Sequence, residues 1–156
     1  VNKDKIIIDF IGKKSVRNIC SVKNKTIKRH LKKKKKTLKK NARIFKCNNV
    51  NVNSNDVNTY IKQFGDFSSK DFRTWSANIK LIKYLLNSDL DNLDKEIKEC
   101  LEKVSDKLHH TPEVCKKNYI FTELIEFYKK DKTKFKNYFN NNNINKQFTK
   151  FLKEKY

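Results

Sequence analysis

Tyr119, with His110, Lys116 and Lys117 close to it in the chain, brings together side chains suited to phosphoryl chemistry. The most telling stretch runs His110-Thr111-Pro112-Glu113-Val114-Cys115-Lys116-Lys117-Asn118-Tyr119. It contains a helix start, because Thr111 can cap free backbone N–H groups and Pro112 has no N–H to satisfy at the first helical position. Tyr119 then falls about two turns into that helix, at ~3.6 residues per turn. Lys116 and Lys117 lie just before it, and His110 stands at the helix entrance. A tyrosine hydroxyl among cations is suited to meeting a phosphate. The same stretch also reads as an amphipathic helix with a half-buried aromatic, and taken alone it does not separate the two readings.

The elements that must position these residues can be read in order. Ile6 to Ile11 is a β-branched apolar run of strand length. Gly12-Lys13-Lys14 is a turn, and Val16 to Val22 is the returning strand, so residues 1–22 form a β-hairpin with lysines at its tip. A solvated turn would look the same. Asn24 to Leu38 reads as a helix with a thin apolar stripe of Ile27, Leu31 and Leu38, and its far end is the run Lys32 to Lys36. That run is open to three readings: a solvated helix end, a phosphate-attracting patch, or a nuclear-import signal. Asn48 to Asn55 is an Asn-rich loop, after which Ser54 or Asn55 caps a short helix that Gly65 ends.

Ser68 or Ser69 starts the next helix. Phe72, Trp75, Ile79, Ile82 and Leu86 step by 3, 4, 3 and 4, which predicts its core face and leaves Arg73 off that stripe. Asn92 to Leu108 is a further amphipathic helix, and the Tyr119 helix is expected to continue through Ile120, Leu124 and Tyr128. Asn140 to Asn143 is a polar spacer before a final helix, Ile144 to Leu152. The fold class is mainly α with a small N-terminal β-hairpin, arranged as one domain over 1–156 with a helical core from residue 23.

Composition narrows the partners. The chain has 156 residues, with 38 Lys and Arg against 17 Asp and Glu, a formal charge of +21. Self-repulsion at that charge favours a polyanion as partner, nucleic acid first. No apolar run approaches the ~20 residues of a spanning helix, which argues against a membrane. The charge is uneven: residues 1–50 hold 18 basic and 2 acidic side chains, residues 51–156 hold 20 and 15. Cys20, Cys47, Cys100 and Cys115 form no CxxC pair, so neither a zinc site nor a disulfide scaffold is expected and an intracellular setting is the default. Nucleus, virus factory and bacterial cytoplasm all remain open. The chain starts at Val1 and lacks methionine, which reads as a piece of a longer protein.

Taken in order, the motifs resemble the catalytic domain of type IB DNA topoisomerases and, more distantly, of tyrosine recombinases. Asp9-Phe10-Ile11-Gly12-Lys13-Lys14-Ser15-Val16-Arg17 resembles the family's hairpin with its catalytic lysine. Ser69-Lys70-Asp71-Phe72-Arg73-Thr74-Trp75 resembles its Lys-x-x-Arg-Thr-aromatic helix, and His110 to Ile120 its nucleophile segment. The resemblance covers roughly residues 5–128. Recombinases usually carry His where Lys70 stands, so the topoisomerases are the nearer group.

The resemblance implies Tyr119 as nucleophile, Arg73 and His110 as donors to the phosphate, Lys13 as general acid and Lys70 in support. Lys14, Arg17, Lys116 and Lys117 would contact DNA. It implies double-stranded DNA as partner, a monomer, no cofactor, metal or ATP, and relaxation of supercoils through a 3′-phosphotyrosyl bond. A second catalytic arginine and the N-terminal clamp of the family would lie upstream of Val1, so the piece alone is expected to be weakly active or inactive. A tyrosine recombinase or integrase and a non-catalytic basic DNA-binding module are the competing expectations.

Overall fold

The computed structural model describes residues 5–12, 15–39, 42–140 and 143–155. Lys13 and Lys14 lie outside the described residues. The chain divides into two compact units, Val1–Phe64 and Gly65–Tyr156.

The first unit opens with an antiparallel hairpin of β1 (Lys5–Ile11) and β2 (Arg17–Lys23), in a register that sets Ile11 opposite Arg17 and Asp9 opposite Ile19. Gly12 fits this turn because a Cβ there would meet the Asn18 amide nitrogen at 2.5 Å. Helix α1 (Lys25–Thr37) follows, with Asn24 accepting the Ile27 N–H at 3.0 Å as N-cap. The segment expected as an Asn-rich loop contains a second, minimal hairpin, β3 (Lys46–Cys47) and β4 (Val50–Asn51). Asn48 and Asn49 both adopt positive φ, the left-handed geometry that a two-residue hairpin turn needs. Helix α2 (Ser54–Lys62) is capped by Asn53, one residue before the expected position, in a reciprocal box with Asp56.

The second unit holds the core. It comprises α3 (Ser69–Leu86), α4 (Leu93–Leu108), α5 (Pro112–Tyr119), α6 (Thr122–Lys130), α7 (Lys132–Phe139) and α8 (Ile144–Lys155). Helix α3 is central, packed against α4, α5, α7 and α8. Leu81, Ile82 and Leu85 from α3 meet Val104 from α4, Leu124 and Tyr128 from α6, Phe135 and Phe139 from α7, and Phe148 and Phe151 from α8. Mainly helical architecture with a leading hairpin is therefore what the chain adopts.

Two expectations are corrected. The buried face of α3 is Ala77, Asn78, Leu81, Ile82 and Leu85, and Phe72 is 59% exposed. The core face is thus turned relative to the stripe of large apolar residues, and Arg73 lies one turn before Ala77 on the buried side. The tyrosine helix also does not run on to Tyr128. It stops at Tyr119, Ile120 is extended, and α6 begins afresh at Thr122.

Candidate active site

Three of the residues singled out by type and spacing come together where the start of α3, the end of α4 and the end of α5 meet. Each is positioned by ordinary local chemistry. Helix α3 starts at Ser68, whose N–H and hydroxyl both donate to the Asp71 carboxylate, at 2.7 and 2.9 Å. These bonds hold the Asp71 carboxyl below its usual range and fix the first turn of the helix that carries Arg73. Helix α4 ends by placing His109 in the left-handed conformation, and the His110 N–H reaches back to the Ser105 carbonyl at 3.1 Å. The chain then turns directly into α5, where Thr111 accepts the Val114 N–H at 3.3 Å and Pro112 opens the helix. His110 is thereby held between two helix ends.

The side chains converge on the Tyr119 ring. The Arg73 guanidinium carbon lies 5.4 Å from the ring centroid, a cation–π distance. The His110 ring stacks on Tyr119 with centroids 5.4 Å apart and an 18° interplanar angle. Arg73 donates through Nη2 to the carbonyl of Leu108, the last residue of α4. That carbonyl is one of the helix-end acceptors left without an intrahelical donor, and it orients the guanidinium.

Among the described residues, two buried nitrogens at this site have no partner, Arg73 Nε and His110 Nε2. Buried polar nitrogens are normally paired, so these two leave bonding capacity beside the tyrosine that a ligand or a water can meet. An oxyanion is the complementary group, since Arg Nε–H is a donor and never an acceptor. Burial, then the Arg73 charge, then His109 push the His110 pKa down, so its ring is neutral at pH 7 and offers one N–H donor and one acceptor.

Within the second unit, the other expected residues are not part of this cluster. Lys70 is exposed in the first turn of α3, and Lys116 and Lys117 are exposed on α5. Arg17, in the first unit, is held by Asp9 through Nε at 2.9 Å and Nη2 at 2.6 Å. Among the described residues no three His, Cys, Asp or Glu side chains gather to hold a metal ion, and no helix is long and apolar enough to cross a membrane.

Sequence reasoning missed Asn78. It is fully buried, donates from Nδ2 to the Thr74 carbonyl at 2.8 Å and the Tyr119 carbonyl at 2.7 Å, and accepts the Phe121 N–H at 2.9 Å. It therefore clamps the chain on both sides of Ile120 and ties the backbone of Tyr119 to the helix that carries Arg73. Its signal was a polar residue within the buried spacing 77, 78, 81, 82, 85 of α3.

Residues 1–148 match the model of the family described as eukaryotic DNA topoisomerase I, catalytic core. The chain is also 32% identical over 88 residues to a protein of Acanthamoeba polyphaga mimivirus named DNA topoisomerase 1B, a match that covers 51% of this chain and 26% of that protein. It thus spans about a quarter of the length of the curated relative it matches.

Proposed function

Because the chain belongs to the eukaryotic-type DNA topoisomerase I catalytic-core family, a type IB topoisomerase family, we propose that it relaxes supercoiled double-stranded DNA through a covalent bond between Tyr119 and a 3′-phosphate. The Tyr119 oxygen attacks phosphorus, the P–O5′ bond breaks, and the P–O bond to tyrosine forms. The phenolic proton leaves to solvent and the 5′-oxygen takes up a proton. One phosphodiester is exchanged for another, so the energy of the broken linkage is retained and religation needs no ATP. Between the two steps the free strand swivels.

A phenol with a reference pKa near ~10 is a weak nucleophile at neutral pH, so the surroundings must stabilise the charge that develops on the phosphorane. The observation that carries this reading is the pair of unpartnered nitrogens, Arg73 Nε and His110 Nε2, beside the Tyr119 ring. In the proposed reaction they donate to the non-bridging oxygens, with the Leu108 carbonyl holding the guanidinium in orientation. Lys13 is assigned to protonating the 5′-oxygen, with Lys70 in support, and Lys14, Lys116 and Lys117 to the DNA backbone. Arg17 joins them on release from Asp9.

The test uses the full-length protein that contains this chain, with supercoiled plasmid in EDTA and without ATP. Relaxation is expected, together with a covalent adduct on a nicked suicide substrate. Tyr119→Phe should abolish both, and plasmid relaxation by that variant would refute the assignment.

A further inference from the structure

The proposed reaction leaves one feature of the first unit unused. Helix α1 carries eight cationic residues, Lys25, Lys28, Arg29 and the five from Lys32 to Lys36, and no acidic one. At ~100° per residue all but Lys34 fall within an arc of about 160°. Those same seven line one continuous open face, and six of them, all but the half-buried Lys28, are exposed. Among the described residues none of the seven makes an ion pair. Asp9, the carboxylate on neighbouring β1, is already held by Arg17 at 2.6 Å.

Lys34 shows the contrast. It points the other way and donates to the carbonyls of Ile44 and Lys46, at 3.4 and 3.3 Å. The apolar residues Leu31 and Leu38 are also on that inner side, half-buried along a groove shared with Ile6 and Ile8 of β1. The helix therefore has one face committed to its own unit and one face made of unpaired cations. Like charges at i and i+4, such as Lys28–Lys32 and Lys32–Lys36, work against the helix, as do Lys25 and Lys28 at its N-terminus. A polyanion removes both penalties. An anionic membrane fits poorly, because an interfacial helix presents its apolar stripe outward and α1 turns Leu31 and Leu38 inward.

We infer that the outer face of α1 is a sequence-independent anchor for the phosphate backbone of double-stranded DNA, built from residues to which the proposed reaction gives no role. The choice of DNA among polyanions rests on the topoisomerase reading. From Lys25 to Lys36 the helix rises ~16 Å, and one DNA strand presents a charge every ~3.4 Å of axis, so the face spans about five phosphates. Lysine ammonium groups act there as point charges and read no bases. The anchor acts on how long the protein stays on DNA and leaves the rate of strand cleavage to Lys13, Arg73, His110 and Tyr119.

The full-length protein with Lys28, Lys32, Lys33, Lys35 and Lys36 changed to Gln tests this, with Lys34 retained. Binding to a short duplex is measured in the Tyr119→Phe background, which keeps it free of covalent trapping. Every lysine–phosphate pairing that is removed should lower the slope of log K against log salt by ~0.9, so a fall of about 2 or more is expected. Single-turnover cleavage at saturating duplex, with Tyr119 intact, should stay within about threefold of the parent, and relaxation should turn distributive at lower salt. The DNA-free variant should melt no lower than the parent, since repulsion has been relieved.

An unchanged slope overturns the inference, and so does an unchanged slope with lost binding to phosphatidylserine vesicles. A lower melting temperature, or a loss of saturating cleavage that matches the loss of affinity, overturns it as well by showing that the lysines serve the fold. A parent that binds duplex with the expected slope change but never cleaves would refute the topoisomerase reading and leave the anchor standing.

Discussion

Arg73 is committed at one end of its guanidinium: Nη2 is taken by Leu108, and among the described residues Nε has no partner. A lysine has no planar fork with which to keep the carbonyl and reach a phosphate as well. Arg73→Lys should therefore lower single-turnover cleavage by about 10²–10³-fold, the cost of one missing transition-state donor, with duplex affinity nearly unchanged in a binding assay. Asn78 acts one step back, as a positioning residue. Asn78→Leu keeps the branched shape and heavy-atom count and removes all three bonds, and misplacing a reacting group by ~1 Å costs about 10²-fold. The loss should appear in the maximal cleavage rate while DNA affinity holds, and a matching loss of affinity would count against positioning. His110 sets a pH response. Its pKa is lowered on folding, so the unfolded chain binds more protons as pH drops below ~6.5. Stability is complete above that value and declines on acidification towards the folded pKa. Urea unfolding at about pH 7.5 and 5.5 should show the decline, and His110→Asn should shrink it. At this scale the sequence is informative about Arg73, His110 and Tyr119, which it singles out and the structure brings together. It is silent on Asn78, because an asparagine acquires its meaning only from the carbonyl of Tyr119 and the N–H of Phe121, 41 and 43 positions away.

Helix starts are legible because capping residues announce them. Asn24, Ser68, Asn92 and Thr111 all stand where the structure begins a helix. The end of α5 is not legible, since Ile120 and Phe121 are apolar and neither Gly nor Pro marks the break. The break is made from outside, by Asn78 of α3. The face of α3 is hidden for a related reason: size suggests Phe72 and Trp75, while the interior selects Ala77 and Asn78, which are small enough to lie under α5. Trp75 is used at the edge, packing against Phe148 at 4.8 Å and donating to Asn145 at 3.0 Å. The far end of α3 is joined to α4 and α7 through a buried carboxylate. Glu96 is fully buried, accepts the Leu90 N–H at 3.2 Å and pairs with Lys132 at 3.2 Å. Burial alone would raise its pKa, but bonds from Tyr128, Ser88, Leu90 and Lys132 outweigh this and hold it low. Lys132→Met would strand that charge, and breaking such a pair costs about 3–5 kcal/mol. Chemical denaturation should show a loss near the lower end of that range, since Lys132 retains some exposure. Glu96→Gln with Lys132→Met should recover part of it.

For the whole molecule, the charge of +21 is visible at once, but composition does not say which cations are free. The structure separates them. Arg17, Lys34, Lys129, Lys132 and Lys136 are occupied by carboxylates or carbonyls, and the outer face of α1 is open. A protein so charged is stabilised when salt screens its self-repulsion. Without DNA, its melting temperature should rise when NaCl is increased several-fold from a concentration where the Debye length is well above ~10 Å. Bound to duplex, the same increase should lower it, because salt dissociates the complex. Calorimetry with and without duplex distinguishes the two signs. The clamp at the end of α5 has a further consequence in mechanical terms. In the proposed covalent state the DNA is tethered to the protein through one side chain, and any torque in the duplex is a load on that joint. Tyr119 is the last residue of a helix of 8, and the next peptide groups are fastened by Asn78 to the 18-residue helix α3. The load path therefore passes from phosphate to α3 within a few bonds, and the tether is anchored in the core of the second unit, with no flexible loop in between.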